Sequence, residues 1–111
     1  MRVVMLSKAL VVGAYQRKLE ELARLPGIDL TAIAPPSWRD SRGEVQLERT
    51  YTDGYRLLEL PVALNGHFHA HFYPRLSQTL QRIRPDLIHI DEEPYNVASW
   101  QAFRWAAAQR V

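Results

Sequence analysis

The sequence predicts an α/β layered domain on a mainly parallel sheet, and three observations carry that expectation. Short segments at 2–6, 28–34 and 87–90 are apolar nearly throughout, the pattern of strands buried on both faces. Segments with helical spacing of apolar residues alternate with them. Prolines and a Pro-Gly pair punctuate the joints, which suits strand-helix alternation better than a run of hairpins.

The elements follow in order. "RVVML" at 2–6 is an unbroken run of long and β-branched side chains, hence a strand. From Ala14 to Leu25 the apolar positions Tyr15, Leu19, Leu22 and Ala23 form one helical stripe, and Pro26-Gly27 ends it. "IDLTAIA" at 28–34 reads as the next strand, closed by Pro35-Pro36 because neither proline can donate to a ladder. "EVQLERT" at 44–50 alternates cleanly, with Val45 and Leu47 on one face. It is expected to pair, through a turn at Asp53-Gly54, with "YRLLELPVAL", which Pro61 confines to an edge. Leu76, Leu80 and Ile83 trace a second helix over 74–84, stopped by Pro85-Asp86 before the strand "LIHI". Val97, Trp100, Phe103 and Ala107 trace a last helix, with Pro94 in its first turn.

These segments supply about three core strands, whereas a typical sheet has about five or six. With no internal repeat, low-complexity segment or linker, the sheet is expected to be incomplete and the chain to be part of a larger unit.

Composition bounds the function classes. Apolar residues make up 47% and charged residues 23% of 111 positions, which marks a folded chain large enough for one domain. The net charge of +2 comes from 14 basic and 12 acidic residues that are dispersed, an argument against nucleic acid and in favour of solvated helix faces. A mildly basic surface is compatible with peripheral contact to anionic lipid. No cysteine is present, so disulfides, cysteine zinc sites and thiol nucleophiles are excluded, and a cytoplasmic setting is expected. No apolar stretch approaches the roughly 20 residues of a spanning helix.

The candidate chemistry lies where strands end, since open α/β sheets bind ligands beyond the carboxyl ends of their strands. "DEEPYN" at 91–96 places three acids in a row there. One account is helix capping and dipole complementarity, worth roughly 0.3–1 kcal/mol for each exposed acid. The other makes Glu92 and Glu93 acceptors for sugar or polyol hydroxyls, with Tyr95 as a stacking face and Asn96 as a bidentate amide. "NGHFHAHFY" at 65–73 carries His67, His69 and His71 at every second position. On an extended chain these would share a face, as a three-histidine metal site needs. The favoured reading is instead a ligand-facing loop with no metal, in which Phe68 and Phe72 anchor the backbone and Asn65-Gly66 turns it. In "SKALVVGAY", Lys8 offers a point charge and Gly13 a close backbone approach, without the G-x-G-x-x-G pattern. No G-x-S-x-G elbow is present. Trp38, residues 67–73 and Tyr95 are the candidate pocket lining.

Taken together, "MRVVMLSKALVVGAYQRKLEELARLPGIDLTAIAPPSWRD" and "RPDLIHIDEEPYNVASWQAF" resemble the N-terminal part of the family 4, or group 1, glycosyltransferases, across nearly the whole chain. The opening methionine, basic residue and apolar strand, the helix ending near "LA", and the "PD" before an apolar-histidine strand carry the likeness. The resemblance implies a GT-B architecture in which residues 1–111 form a partial, Rossmann-like, three-layer acceptor-side domain and a C-terminal donor domain is missing. It implies a nucleotide-sugar donor as co-substrate, no tightly bound cofactor, and a carbohydrate or lipid-linked acceptor. The resemblance places the loop ending at Gly13 and the "DEEPYN" loop at the donor and acceptor side, and with the readings above the candidate substrate-binding residues are Lys8, Gly13, Asn65, His67, His69, Glu92, Glu93, Tyr95 and Asn96, with catalytic residues unassigned. Many members have paired glycines where this chain has Val11-Val12-Gly13-Ala14, which argues against close pyrophosphate approach. The family's motif of two glutamates separated by seven residues belongs to the absent domain, so these residues alone are expected not to transfer sugar. The competing expectation, from another class, is a free-standing Rossmann-like binding module that dimerises through an exposed sheet edge.

Overall fold

A computed structural model describes residues 1–111. Four strands form one parallel sheet: β1 (Arg2–Leu6), β2 (Asp29–Ala34), β5 (Arg56–Glu59) and β6 (Leu87–Ile90), in the order β5-β2-β1-β6. Val3 faces Leu30 on one side and Leu87 on the other, so β1 is central. A separate antiparallel hairpin joins β3 (Ser37–Asp40) to β4 (Gly43–Gln46). Three α-helices complete the chain: α1 (Arg17–Ala23), α2 (Leu76–Ile83) and α3 (Val97–Gln109).

The arrangement is Rossmann-like, with three layers, because the pleat of β1 and β2 serves two separate cores. Val4, Leu6 and Ile33 pack against Leu76 and Leu80 of α2 and Ala98 and Ala102 of α3. Met5, Leu30, Ala32 and Ala34 point the other way, onto Leu19 of α1, with Leu10 and Leu57 beside them. Of the three apolar strands expected, 2–6 and 28–34 are the two central ones, whereas 87–90 is an edge strand paired on one side only, with Leu87 exposed. Asp86 locks the start of β1 to β6: its carboxylate accepts the Arg2 N–H, and its own N–H donates to the Arg2 carbonyl, each at 2.7 Å.

Three local expectations are corrected. The strand at 44–50 does not pair with 55–64. Its first half is β4, which folds back on "SWRD" through Ser41-Arg42, where the Asp40 carboxylate accepts the Arg42 N–H at 2.8 Å. Asp53-Gly54 does turn the chain, but it delivers β5 to β2 as a parallel edge strand. The buried Gln16 side chain makes this possible by tying down the intervening segment: it donates to the Glu48 carbonyl and accepts from the Thr50 and Tyr51 N–H groups.

The second correction concerns the first helix. Its opening residues wind as a tighter 3-10 turn, Gly13–Gln16, and of the expected stripe only Leu19 is fully buried while Tyr15 is exposed. The third concerns the last helix. It begins at Val97, after an Asn96 cap, so Pro94 lies ahead of the first turn rather than within it. The expected stripe faces outward: Trp100 is 56% and Phe103 60% exposed, whereas the small residues Ala98, Ser99 and Ala102 are buried. Small side chains at Ala98, Ser99 and Ala102 let α3 approach the sheet and α2 closely, and the one large residue on that face, Trp105, packs half-buried at the border of the core. No helix is long and apolar enough to cross a membrane.

Candidate functional site

Parallel strands deliver their following loops to one rim, and here the rim joins the turn after β1 to the turn after β6. The Ser7 hydroxyl caps the 3-10 turn Lys8–Val11 by accepting the Ala9 N–H, and it donates to Asp91. Lys8 crosses to the acids. Its N–H donates to Glu92 Oε1, and its ammonium to Glu92 Oε2 and Glu93 Oε2, all at 2.7 Å. The Glu92 side chain is 0% exposed and that of Glu93 33%, so the first is an internal counter-charge and the second still meets solvent. Asp91, the outermost acid, lies 3.5 Å from the Lys18 ammonium. Three adjacent carboxylates are thus tolerated because each has its own donors.

Asn96 joins both accounts of the acidic loop. Its side-chain oxygen accepts the Ser99 N–H at 2.8 Å and caps α3, while its amide donates to Glu93 at 3.1 Å. Ser99 donates in turn to the Glu93 carbonyl. The loop is therefore held from within by its own hydrogen bonds.

Burial works to push the Lys8 ammonium down, but the hydrogen bonds and charges of Glu92 and Glu93 outweigh it and hold the group above its ordinary value. For Glu93 burial acts upward, and the Lys8 ammonium, a backbone donor and the Asn96 amide bring it below the ordinary glutamate range. Both shifts favour the charged pair. Burial, and secondarily the Glu92 charge, raise the Tyr73 phenol well above its usual value, so it stays neutral.

Beside this cluster a cleft of about 270 Å3 opens between the 8–15 segment and the β3–β4 hairpin. Val11, Val12, Tyr15, Trp38, Val45 and Phe68 provide its apolar walls, and Lys8 stands at its inner end with Asp40 and Arg42 at its mouth. The Lys8 ammonium lies 5.6 Å from the Trp38 ring and 5.5 Å from the Phe68 ring, within cation–π range. A shallower polar depression, lined by Lys8, Ala9 and the three acids, continues the rim on the other side.

The remaining sequence-named residues divide. Gly13 sits on the same edge, but its N–H donates to Glu48 Oε1 at 2.8 Å. An added Cβ would come within 2.7 Å of the Thr50 Cβ, so the close approach this glycine permits is made by the chain itself. Asn65 holds the hairpin: it accepts the Arg39 N–H at 2.9 Å and donates to Ser37. Gly66, at φ +91°, leaves no room for a side chain, since an added Cβ would fall 3.0 Å from the Arg39 carbonyl oxygen.

The histidines separate because the loop turns rather than extends. The His67 carbonyl accepts both the N–H and the Nδ1–H of His71, which fixes the His71 tautomer. His71 is fully buried, with Nε2 unpartnered and 3.9 Å from Glu92 Oε2. His67 and His69 are exposed, and the His69 ring stacks on Tyr95 at 4.9 Å. No group of three or more His, Asp or Glu side chains is placed to hold a metal ion.

Of the residues lining the cleft, Val11, Val12, Val45 and the Asp40-Arg42 pair carried no signal in sequence beyond being apolar or charged. Trp38, a candidate for pocket lining from the sequence, does line the cleft. No protein-family model, curated protein or solved structure matches the chain.

Proposed function

We propose that this chain is the acceptor-side, Rossmann-like half of a GT-B glycosyltransferase that moves a sugar from a nucleotide-sugar donor to an acceptor. One observation carries the reading: the Lys8 ammonium, anchored by Glu92 and Glu93, stands on the carboxyl-end rim of a parallel sheet at the junction of an apolar cleft and a polar depression. Such a junction suits a molecule with an apolar body and a hydroxyl to be glycosylated. Within it the roles are unequal. Glu92 positions Lys8, whereas Glu93, half-exposed and bonded through Oε2 alone, keeps Oε1 for an acceptor hydroxyl. Tyr95, exposed and backed by His69, offers a stacking face. No cationic group other than Lys8 lines the depression, so the charge developing on a leaving nucleotide diphosphate would depend on a second domain.

Extending the reading frame past Val111 and assaying the product with nucleotide-sugars tests the proposal. Transfer by the extended protein, with weak or no nucleotide-sugar binding by residues 1–111 in calorimetry, is expected. A frame that stops at Val111, or tight nucleotide-sugar binding by these residues alone, overturns it.

One observation favours the second reading, a dimeric binding module. Strand β6 pairs on one side only, and its Leu87 and the α3 residues Trp100 and Phe103 are exposed. Sedimentation equilibrium decides this: a monomer at micromolar concentration removes the dimeric module.

A further inference from the structure

We infer that the cleft between the 8–15 segment and the β3–β4 hairpin is a binding site for the body of a neutral aromatic or alicyclic alcohol, whose hydroxyl oxygen accepts the remaining N–H of Lys8. This deepens the acceptor-side reading by naming a class of acceptor, and its functional meaning rests on that reading.

Three features select the class. The first is size: about 270 Å3 lies just below the roughly 300–1,000 Å3 typical of small-molecule sites, room for a fused two-ring skeleton rather than a nucleotide. The second is the lining. Seven of the ten residues around the cleft are hydrophobic, and Tyr15, Trp38 and Phe68 present rings, with Phe68 edge-on to Trp38 at 5.9 Å. Flat apolar bodies gain most from such walls. The third is charge. An ammonium has three donors, and Lys8 commits two of them to Glu92 and Glu93. The third remains for an oxygen on the side of the aromatic rings, toward which the ammonium already lies.

The same charges exclude anions. At the inner end one ammonium faces two carboxylates, and at the mouth Arg42 is bound to Asp40 at 3.0 Å, so no cation is left uncompensated. A phosphate or carboxylate entering here would meet a net negative surrounding in a partly desolvated space, whereas a hydroxyl would not. Lys8 therefore acts as a neutralised hydrogen-bond donor, not as an anion trap.

Titration of the 111-residue chain with 2-naphthol and with 2-naphthyl phosphate at neutral pH, followed by amide and indole NMR shifts, tests the inference. Saturable shifts from 2-naphthol at Val12, Val45, Phe68 and the Trp38 indole are expected, with 2-naphthyl phosphate weaker by about tenfold or more. Phe68→Ala, at a position 45% exposed and so tolerant of truncation, should weaken 2-naphthol several-fold without changing the fold seen by circular dichroism. Absence of saturable shifts at these residues, phosphate binding equal to or tighter than naphthol, or unchanged affinity in Phe68→Ala overturns it. These outcomes are independent of the reading-frame experiment. An extended protein that transfers sugar while 2-naphthol fails to bind sinks this inference alone, and 2-naphthol binding with no sugar transfer sinks the glycosyltransferase reading alone.

Discussion

Glu92 holds Lys8 twice across 84 positions of sequence, with Oε1 on the backbone N–H and Oε2 on the ammonium, each at 2.7 Å. The paired contact fastens the loop after β1 to the loop after β6 and builds the rim on which the cleft depends. Because Glu92 is fully enclosed, its charge has no recourse to water if the ammonium is removed.

Lys8→Met is accordingly expected to destabilise the fold by about 3–5 kcal/mol in urea denaturation, the usual result of stripping one partner from a buried pair. Lys8→Met combined with Glu92→Gln should recover a substantial part of that loss. Additive single effects in the double-mutant cycle would show that the pair is not coupled.

The pH dependence follows from the same cluster. Glu93 is held below its ordinary value of 4.5, so its contribution is present above that pH and is lost as pH falls toward the lower folded value. Lys8 is held above 10.5, so its contribution is complete below that pH and lost as pH rises through the higher folded value. A stability plateau over roughly pH 6–9 with losses at both ends is expected in urea midpoints, and Lys8→Met should flatten the acid-side loss.

Tyr55 adds to the alkaline side. Burial, then the nearby Glu20 charge, push its phenol up to about 12, with Arg49 opposing. An unfolded tyrosine ionises near 10, so the folded state loses ground from about pH 10 upward. Ultraviolet titration should show a phenolate forming near pH 12 that Tyr55→Phe removes.

Gly13→Ala should cost about 1–3 kcal/mol through overpacking, because the new Cβ falls on Thr50. The double variant Gly13→Ala with Thr50→Ala should regain part of that cost in thermal melts. A neutral Gly13→Ala would mean that the 48–51 segment is not seated on this glycine.

The register of α3 makes an opposite pair of predictions. Trp100→Glu, on the outward face, should change monomer stability by no more than about 0.5 kcal/mol. Ala102→Leu, on the buried face, should cost about 1–3 kcal/mol. Denaturation of the two variants side by side checks the face assignment.

The α3 case also shows where sequence reading fails. Spacing of large apolar residues normally marks the buried face, but Val97, Trp100 and Phe103 share their side of the helix with solvent while alanines and Ser99 meet the sheet. Periodicity records which residues share a face and is silent on what lies opposite. The acids at 91–93 were legible as strand-end residues, because that depends on local order along the chain, but capping was expected of the acids and falls instead to Asn96. That Lys8 would neutralise two of the acids was not legible, since nothing in sequence pairs positions so far apart.

By itself the sequence determined, to within a residue or two, the strands read at 2–6 and 28–34, the helix-strand unit read at 74–90 and the parallel α/β class, because pleat, helical spacing and proline breaks act over a few residues. Tertiary structure alone decided that "SWRD" folds onto "GEVQ", that Gly13 receives Glu48 and Thr50, that the three histidines part company, and that Trp38 and Phe68 meet over Lys8. Those outcomes arise from competition among distant segments for the same buried volume and the same donors. Such competition is resolved only when the whole chain packs.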